Sequence, residues 1–206
     1  LISYWQFEYD NGTHTFDATG RNNGTLHGDI KLIHEGRAGK AYEFDGDGDY
    51  IDCGNDASLD LTDNFTISLW FYAKNWSSSF PSFISKRDSY GTMDWELFYS
   101  KEASEIQFWF GNSGAYHIFD GAEVNPSLNA WHLLVVTRSG DNFSLYLDGS
   151  LSASELNSGS MPTGDEVRIG VLGGDALSHA FNGTIDEVMI FNRSLSESEI
   201  KELYNL

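Results

Sequence analysis

The groups in this sequence best placed to do chemistry are carboxylates set among turn-forming residues. Asp186 lies in Gly183-Thr184-Ile185-Asp186-Glu187-Val188-Met189-Ile190-Phe191, which reads as a strand with apolar residues on both faces. Its predicted face is shared with Val188 and Ile190, where a carboxylate is costly unless a cation or strong donors meet it. Asp17 opens a Gly/Asn-rich loop, 17–25, that offers oxygens from Asp17, Asn22, the backbone and Thr25. If the terminal strands pair, Asp17 and Asp186 could meet, and a hard cation such as Ca²⁺ takes about six to eight such oxygens. The competing reading is a loop held by Asx-turns, with Asp186 satisfied by backbone N–H groups. A second acidic segment, Asp45-Gly46-Asp47-Gly48-Asp49, copies the start of an EF-hand loop. Tyr50 then stands where that loop needs Gly, and Asp56 where it needs Glu, so an acidic hairpin turn is expected.

Other chemistries find less support. Asp94-Trp95-Glu96 puts two carboxylates on one strand face, whereas Asp186 and Glu187 fall on opposite faces. The six histidines (His14, His27, His34, His117, His132, His179) show no ligand spacing, and His132 is expected to be packed and hydrogen-bonded. No G-x-S-x-G occurs. Cys53 is the only cysteine, which excludes an internal disulfide and a thiolate cluster and suits a small buried hydrophobe. A sugar presents both C–H patches and hydroxyls, so it needs aromatic faces beside polar groups. Trp76, Tyr90, Trp95, Tyr99, Trp109, Tyr116 and His117 lie in or beside the central strands, with Arg87 and Asp94 close in sequence. Each of these aromatics could equally pack in the core.

The elements that must position these groups are mostly strands. Ser3–Tyr9, Lys40–Phe44, Tyr50–Cys53, Phe65–Ala73, Ser82–Lys86, Trp95–Tyr99, Ile106–Gly111, Ala115–Phe119, Trp131–Arg138, Phe143–Leu147, Glu166–Gly170 and Thr184–Asn192 carry strand patterns between Gly/Asn/Asp turns. Lys40–Phe44 and Tyr50–Cys53 flank the acidic turn and read as a hairpin. Ser196 followed by Glu199 fits a capping box that opens one short helix carrying Ile200, Leu203 and Tyr204. The pattern predicts an all-β, two-sheet antiparallel sandwich in a single domain, 1–206, with a short C-terminal helix.

Composition narrows the partners. There are 31 acidic and 12 basic side chains, a formal charge of −19. That field disfavours nucleic acid and anionic membranes and favours cations, although a solvated acidic surface needs no partner at all. No apolar run approaches the length of a membrane span, so no membrane insertion is expected. The sequence begins at Leu1 without an initiator Met or a signal peptide and reads as a segment of a longer or processed protein, tethered to other domains. Sequons at Asn11, Asn23, Asn64, Asn75, Asn142, Asn182 and Asn192 lean towards an extracellular or cell-surface glycoprotein, although Asn-Gly-Thr at three of them is also turn chemistry.

Six motifs in order carry a family resemblance over most of the chain. Tyr4-Trp5-Gln6-Phe7 with Phe16-Asp17-Ala18-Thr19-Gly20, Gly39-Lys40-Ala41-Tyr42-Glu43-Phe44-Asp45-Gly46 with Asp49-Tyr50-Ile51, and Phe65-Thr66-Ile67-Ser68-Leu69-Trp70 come first. Trp131-His132-Leu133-Leu134-Val135-Val136-Thr137, Tyr146-Leu147-Asp148-Gly149 and the strand-turn-helix ending 183–206 follow. Together they resemble laminin-G-like jelly rolls of the concanavalin A-like lectin/glucanase superfamily.

The resemblance implies a concanavalin A-like jelly roll in which Trp5, Trp70 and Trp131 occupy core positions. It also implies a structural Ca²⁺ held by Asp17, Asn22, Thr25 and Asp186. Retaining glucanases of the superfamily carry E-x-D-x-x-E on one strand, and that motif is missing here, so catalysis is not expected. The resulting expectation is a non-catalytic, calcium-stabilised carbohydrate-binding or adhesion module. It would bind a glycan or glycosylated surface through aromatics on the concave sheet or in the loops at its rim. A glycoside hydrolase or lyase with rearranged acids, and a structural protein–protein contact domain, are the alternatives.

Overall fold

A computed structural model describes residues 1–86, 95–112, 115–120, 125–161, 163–173 and 179–206, with the backbone alone at 112, 115–118 and 120. Four short strands come early: β1 (Ser3–Asp10), β2 (His14–Asp17), β3 (Gly24–His27) and β4 (Lys31–Ile33). The segments β5 (Ala41–Asp45), β6 (Tyr50–Asp52), β7 (Asn64–Ala73), β8 (Ser82–Lys86), β9 (Trp95–Ser100), β10 (Glu105–Asn112) and β11 (Ala115–Asp120) follow. The chain continues through β12 (Trp131–Ser139), β13 (Asn142–Leu147), β14 (Ser150–Leu156), β15 (Val167–Ile169) and β16 (Asn182–Phe191), then α1 (Glu197–Asn205).

These strands form one antiparallel ladder in the order β11-β10-β9-β8-β15-β6-β3-β2-β1-β16-β7-β12-β13-β14, with β5 and β4 branching from β16. The ladder folds back on itself, so that β7, β12 and β13 face β8, β9 and β10 as two layers. Strand alternation supplies the inner faces. Phe65, Ile67, Leu69 and Phe71 of β7 point inward, as do Trp95, Leu97 and Tyr99 of β9 and Ile106, Phe108 and Phe110 of β10. Ring centroids meet across the layers at 4.6 Å for Phe71–Phe83 and 4.5 Å for Phe110–Phe143. The terminal strands are adjacent, with Trp5 directly opposite Val188. The expected jelly-roll sandwich is the fold.

Three local expectations are corrected. Asp45–Asp49 is not a hairpin turn: β5 pairs with β4 and β16, while β6 pairs with β3 and β15. The segment carries the chain from one neighbourhood of the ladder to another. Asp49 ties it, accepting from Asp45 N at 3.0 Å and Asp29 N at 2.9 Å. Second, β16 does not alternate simply. A bulge falls between Asp186 and Met189, with Glu187 at φ 52°. It turns both Ile185 and Val188 into the main core and leaves Asp186 opposite Trp70, on the outer side.

Third, the tryptophans expected in the core divide: Trp5 belongs to the main cluster, Trp70 is buried in a second, smaller core cluster, and Trp131 is only partly buried against that one. Trp70 and Trp131 lie on the outer face of β7 and β12. There α1 covers Trp70, which joins Leu133, Val135, Leu195 and Ile200 and stacks on Tyr204 at 5.7 Å. The helix begins as the sequence indicated: the Ser196 side chain accepts from Glu199 N, and the Glu199 carboxylate accepts from Ser196 N.

Gly183 shows why its motif starts with glycine. Its φ is 154°, and a Cβ there would stand 2.1 Å from the backbone oxygen of Tyr72.

His132 is nearly buried, with Nδ1 2.8 Å from Asp148 and Nε2 3.0 Å from the Ser127 hydroxyl. The hydrogen bond to Asp148 raises its pKa, against the opposing effect of burial. A raised histidine contributes stability that is full below its unfolded value of about 6.5 and is lost as pH rises through the higher folded value. Melting temperature should therefore fall as pH rises from about 6.5 in the native protein, and Asp148→Asn should flatten that decline. An equal slope in both proteins would show the pair to be thermodynamically silent.

Candidate functional site

The outer face of β8, β9 and β10 gathers polar and aromatic groups that the core does not use. Register sets the face: Ser85 is opposite Glu96, Glu96 opposite Trp109, and Phe98 opposite both Ser82 and Gln107. Glu96 is 1% exposed. Its Oε1 lies 3.1 Å from His179 Nδ1, and its Oε2 is buried without a partner among the described residues. The Ser82 hydroxyl on the same face is likewise buried and unpartnered among the described residues. An unmet carboxylate oxygen is among the costlier groups to leave in an interior, and it calls for a partner such as a water, an ion or a ligand.

Aromatic side chains frame this carboxylate. The Phe80 ring stacks against His179 at 5.5 Å and meets Phe98 edge-on at 5.9 Å. Trp109 meets Phe98 edge-on at 4.9 Å and donates from Nε1 to Gln107 Oε1 at 3.2 Å. Phe80 and Trp109 are partly exposed and the His179 side chain is 12% exposed, while Glu96 and Phe98 are sealed beneath them. The patch can thus offer a ligand ring faces, an imidazole and one deep acceptor. Glu105 lies further along the same face of β10, where it accepts from Gln107 Nε2 at 2.8 Å. Glycoside hydrolysis needs two carboxylates flanking the bond, and Glu105 is tied to Gln107 while Glu96 lies beneath the rings.

The aromatics named from sequence divide by face. Trp95 is 0% and Tyr99 3% exposed, both on the inner side of β9, so neither reaches a ligand there. Trp76 stacks on Tyr99 at 4.1 Å and is half-buried against the core. Trp109 alone of these four lies on the outer face. Arg87, Tyr90 and Asp94 lie outside the described residues. Tyr116 stands opposite Gly111 and His117 opposite Phe110, by backbone register. Glu96, His179, Phe80 and Gln107 carry no motif that marks them as ligand-binding residues. Alternation from Glu96 to Phe98 and from Gln107 to Trp109 is the usable signal.

The four residues assigned to one cation are not gathered at one point. Asp17 is 4% exposed, and both its oxygens are engaged. Tyr4 N and Thr19 N donate to Oδ1 at 2.9 Å each, Thr19 Oγ1 to Oδ2 at 2.7 Å, and Asn22 N to Oδ2 at 3.0 Å. Burial pushes the Asp17 carboxyl up, but these hydrogen bonds outweigh it and hold the group below its ordinary value. The Asn22 amide donates to Ser3 Oγ at 2.7 Å, and Thr25 sits in β3 opposite His14 and Asp52. Asp186 lies past Val188, toward the other end of β1, and accepts from Ala38 N and Glu187 N. Its pKa rises to about 7, chiefly because it is buried. A cation shared by Asp17 and Asp186 does not fit this arrangement. Among the described residues, the carboxylates that do converge are Asp29, Asp45 and Asp49, with one oxygen each within 4.8 Å of the others.

The fold recurs in known proteins. A family model for the concanavalin A-like lectin/glucanases superfamily (Laminin_G_3) matches residues 45–201. Domain 4 of AbnA, a GH43 extracellular arabinanase from Geobacillus stearothermophilus, solved with arabinotriose, superimposes with a TM-score of 0.78 and 21% identity. That match covers 99% of this chain and 98% of the other. The binding domain of Paraclostridial Mosquitocidal Protein 1 gives 0.79 at 16% identity, over 100% of this chain and 52% of that one. Trypanosoma rangeli sialidase in complex with the inhibitor DANA gives 0.73 at 16%, over 98% and 32%. The chain therefore spans about half the length of the second protein and a third of the third. No curated protein matches the sequence. At these identities the likenesses show the shared fold.

Proposed function

The chain belongs to the concanavalin A-like lectin/glucanases superfamily, and from that premise we propose that it is a non-catalytic carbohydrate-binding module whose ligand seats on the outer face of β8–β10. The observation that carries this reading is Glu96, a buried carboxylate with one oxygen held near His179 and the other unpartnered among the described residues, below half-exposed Trp109 and Phe80. Sugar C–H faces would lie on the rings, and a sugar hydroxyl would reach and satisfy the covered Glu96 oxygen where those rings move aside. The full-length likeness to a domain solved with arabinotriose supports a neutral saccharide. That domain comes from an extracellular enzyme, and an extracellular setting is part of the proposal. No helix among the described residues is long and apolar enough to cross a membrane.

The Glu96–His179 contact also favours a second reading, a hydrolase using Glu96 as general acid or base. Two measurements separate them. Titration calorimetry with arabinotriose, xylotriose and cellotriose should show saturable binding of at least one. Reducing-end assays on the corresponding polysaccharides should show no product above background. Product that disappears in Glu96→Gln would establish the hydrolase. Absence of binding to all three sugars would remove saccharide recognition at this face.

A further inference from the structure

The other layer has an outer face of its own, and α1 covers only part of it. Outward residues of β7 run Thr66, Ser68, Trp70, Tyr72; the helix and Arg37 cover Trp70, with the guanidinium 4.2 Å above its ring. Tyr72 lies beyond that cover. Across the strands, Glu43 is opposite Thr184, Thr184 opposite Tyr72, and Tyr72 opposite Trp131. Directly opposed residues share a face, so these four form one row across β5, β16, β7 and β12, roughly 14 Å long at the usual strand spacing. The row floors a groove of about 370 Å³, with Ile33, Glu35 and Lys74 on its walls.

Its chemistry is mixed in a specific way. Tyr72 and Trp131 stand 5.8 Å apart at 59°, so neither ring covers the other, and both are half-exposed. Lys74 pairs with Glu43, and exposed Glu35 adds a second carboxylate. An anionic ligand would meet two carboxylates in a chain of net charge −19. An apolar occupant would strip water from the Lys74–Glu43 pair without replacing it. A neutral oligosaccharide meets every group: C–H faces lie on Tyr72 and Trp131, hydroxyls donate to Glu35 and Glu43, and one accepts from Lys74. We propose that this groove is a second carbohydrate site, taking a neutral di- or trisaccharide laid across the strands. It shares no residue with the β8–β10 face and stands independently of it.

The test uses indole ¹⁵N signals, with those of Trp131 and Trp109 identified by Trp131→Phe and Trp109→Phe. Arabinotriose, xylotriose and cellotriose are the probes. At least one should shift the Trp131 signal along a saturable curve, in the native protein and equally in Trp109→Ala. Tyr72→Ala should weaken that curve about tenfold, and Glu35→Gln, which alters only an exposed side chain, should weaken it in the same direction. A Trp131 signal unmoved by all three sugars overturns the proposal. So does a curve unchanged in both variants. A shift that follows protein concentration instead of sugar would overturn it too, assigning the groove to a second copy of the chain. Because Trp109 reports the other face separately, failure of one site leaves the other readable.

Discussion

Asp17→Ala should lower the melting temperature by about 9 °C. The substitution strands three donors, the N–H groups of Tyr4, Thr19 and Asn22, around a nearly buried position, while the Thr19 hydroxyl keeps the Ile2 carbonyl as acceptor at 2.9 Å. At about 1 kcal/mol for each of these hydrogen bonds, the cost is about 3 kcal/mol. A chain of this length loses roughly 3 °C per kcal/mol. Because its pKa is depressed, the stability Asp17 contributes is present above its unfolded value near about 3.9 and is lost as pH falls through the lower folded value. Native protein and Asp17→Ala should therefore converge in stability at strongly acid pH.

The same carboxylate decides between a hydrogen-bonded loop and a shared cation. Asp17 and Asp186 have separate partners, so Asp17→Asn and Asp186→Asn should act additively on stability, within about 0.5 kcal/mol. Two ligands of one ion would not: loss of either would remove most of its effect, and the second substitution would add little. Thermal unfolding of both single variants and the double variant, with EDTA and with millimolar Ca²⁺, measures this. Strong non-additivity that appears only with Ca²⁺ would restore the shared site.

Much of this fold was legible in the sequence because its longest strands carry unbroken patterns. Phe65–Ala73 alternates over its whole length, and Ser196 and Glu199 announce the helix start. What escaped was non-local. The acidic segment Asp45–Asp49 looks like a hairpin turn, yet β5 and β6 each find partners distant in sequence. Strand β14 carries no strand signal because it is an edge strand with no buried residue to mark alternation. The bulge at Glu187 reverses the face of Asp186, and one extra residue is invisible to a period-two pattern.

The candidate site was legible only in part for a related reason. In Trp95-Glu96-Leu97-Phe98-Tyr99 every residue but one is apolar or aromatic, so composition cannot say which aromatics face inward. The structure puts Trp95 and Tyr99 in the core and Glu96 and Phe98 outside. His179 reaches Glu96 from 83 positions away, a meeting no local motif records.

Saccharide binding at the β8–β10 face is the central claim, and calorimetric titration of three proteins with the best-bound trisaccharide tests it most directly. Trp109→Ala removes the half-exposed ring, and Glu96→Gln replaces the carboxylate that is to accept a hydroxyl with a neutral amide. A hydrogen bond to a charged group contributes about 1.5–3 kcal/mol, so Glu96→Gln should weaken binding by about tenfold or more. Trp109→Ala should weaken it by a similar factor, with both variants melting within a few degrees of the native protein. Affinity at the β8–β10 face unchanged in both variants, with the fold intact, would contradict the claim.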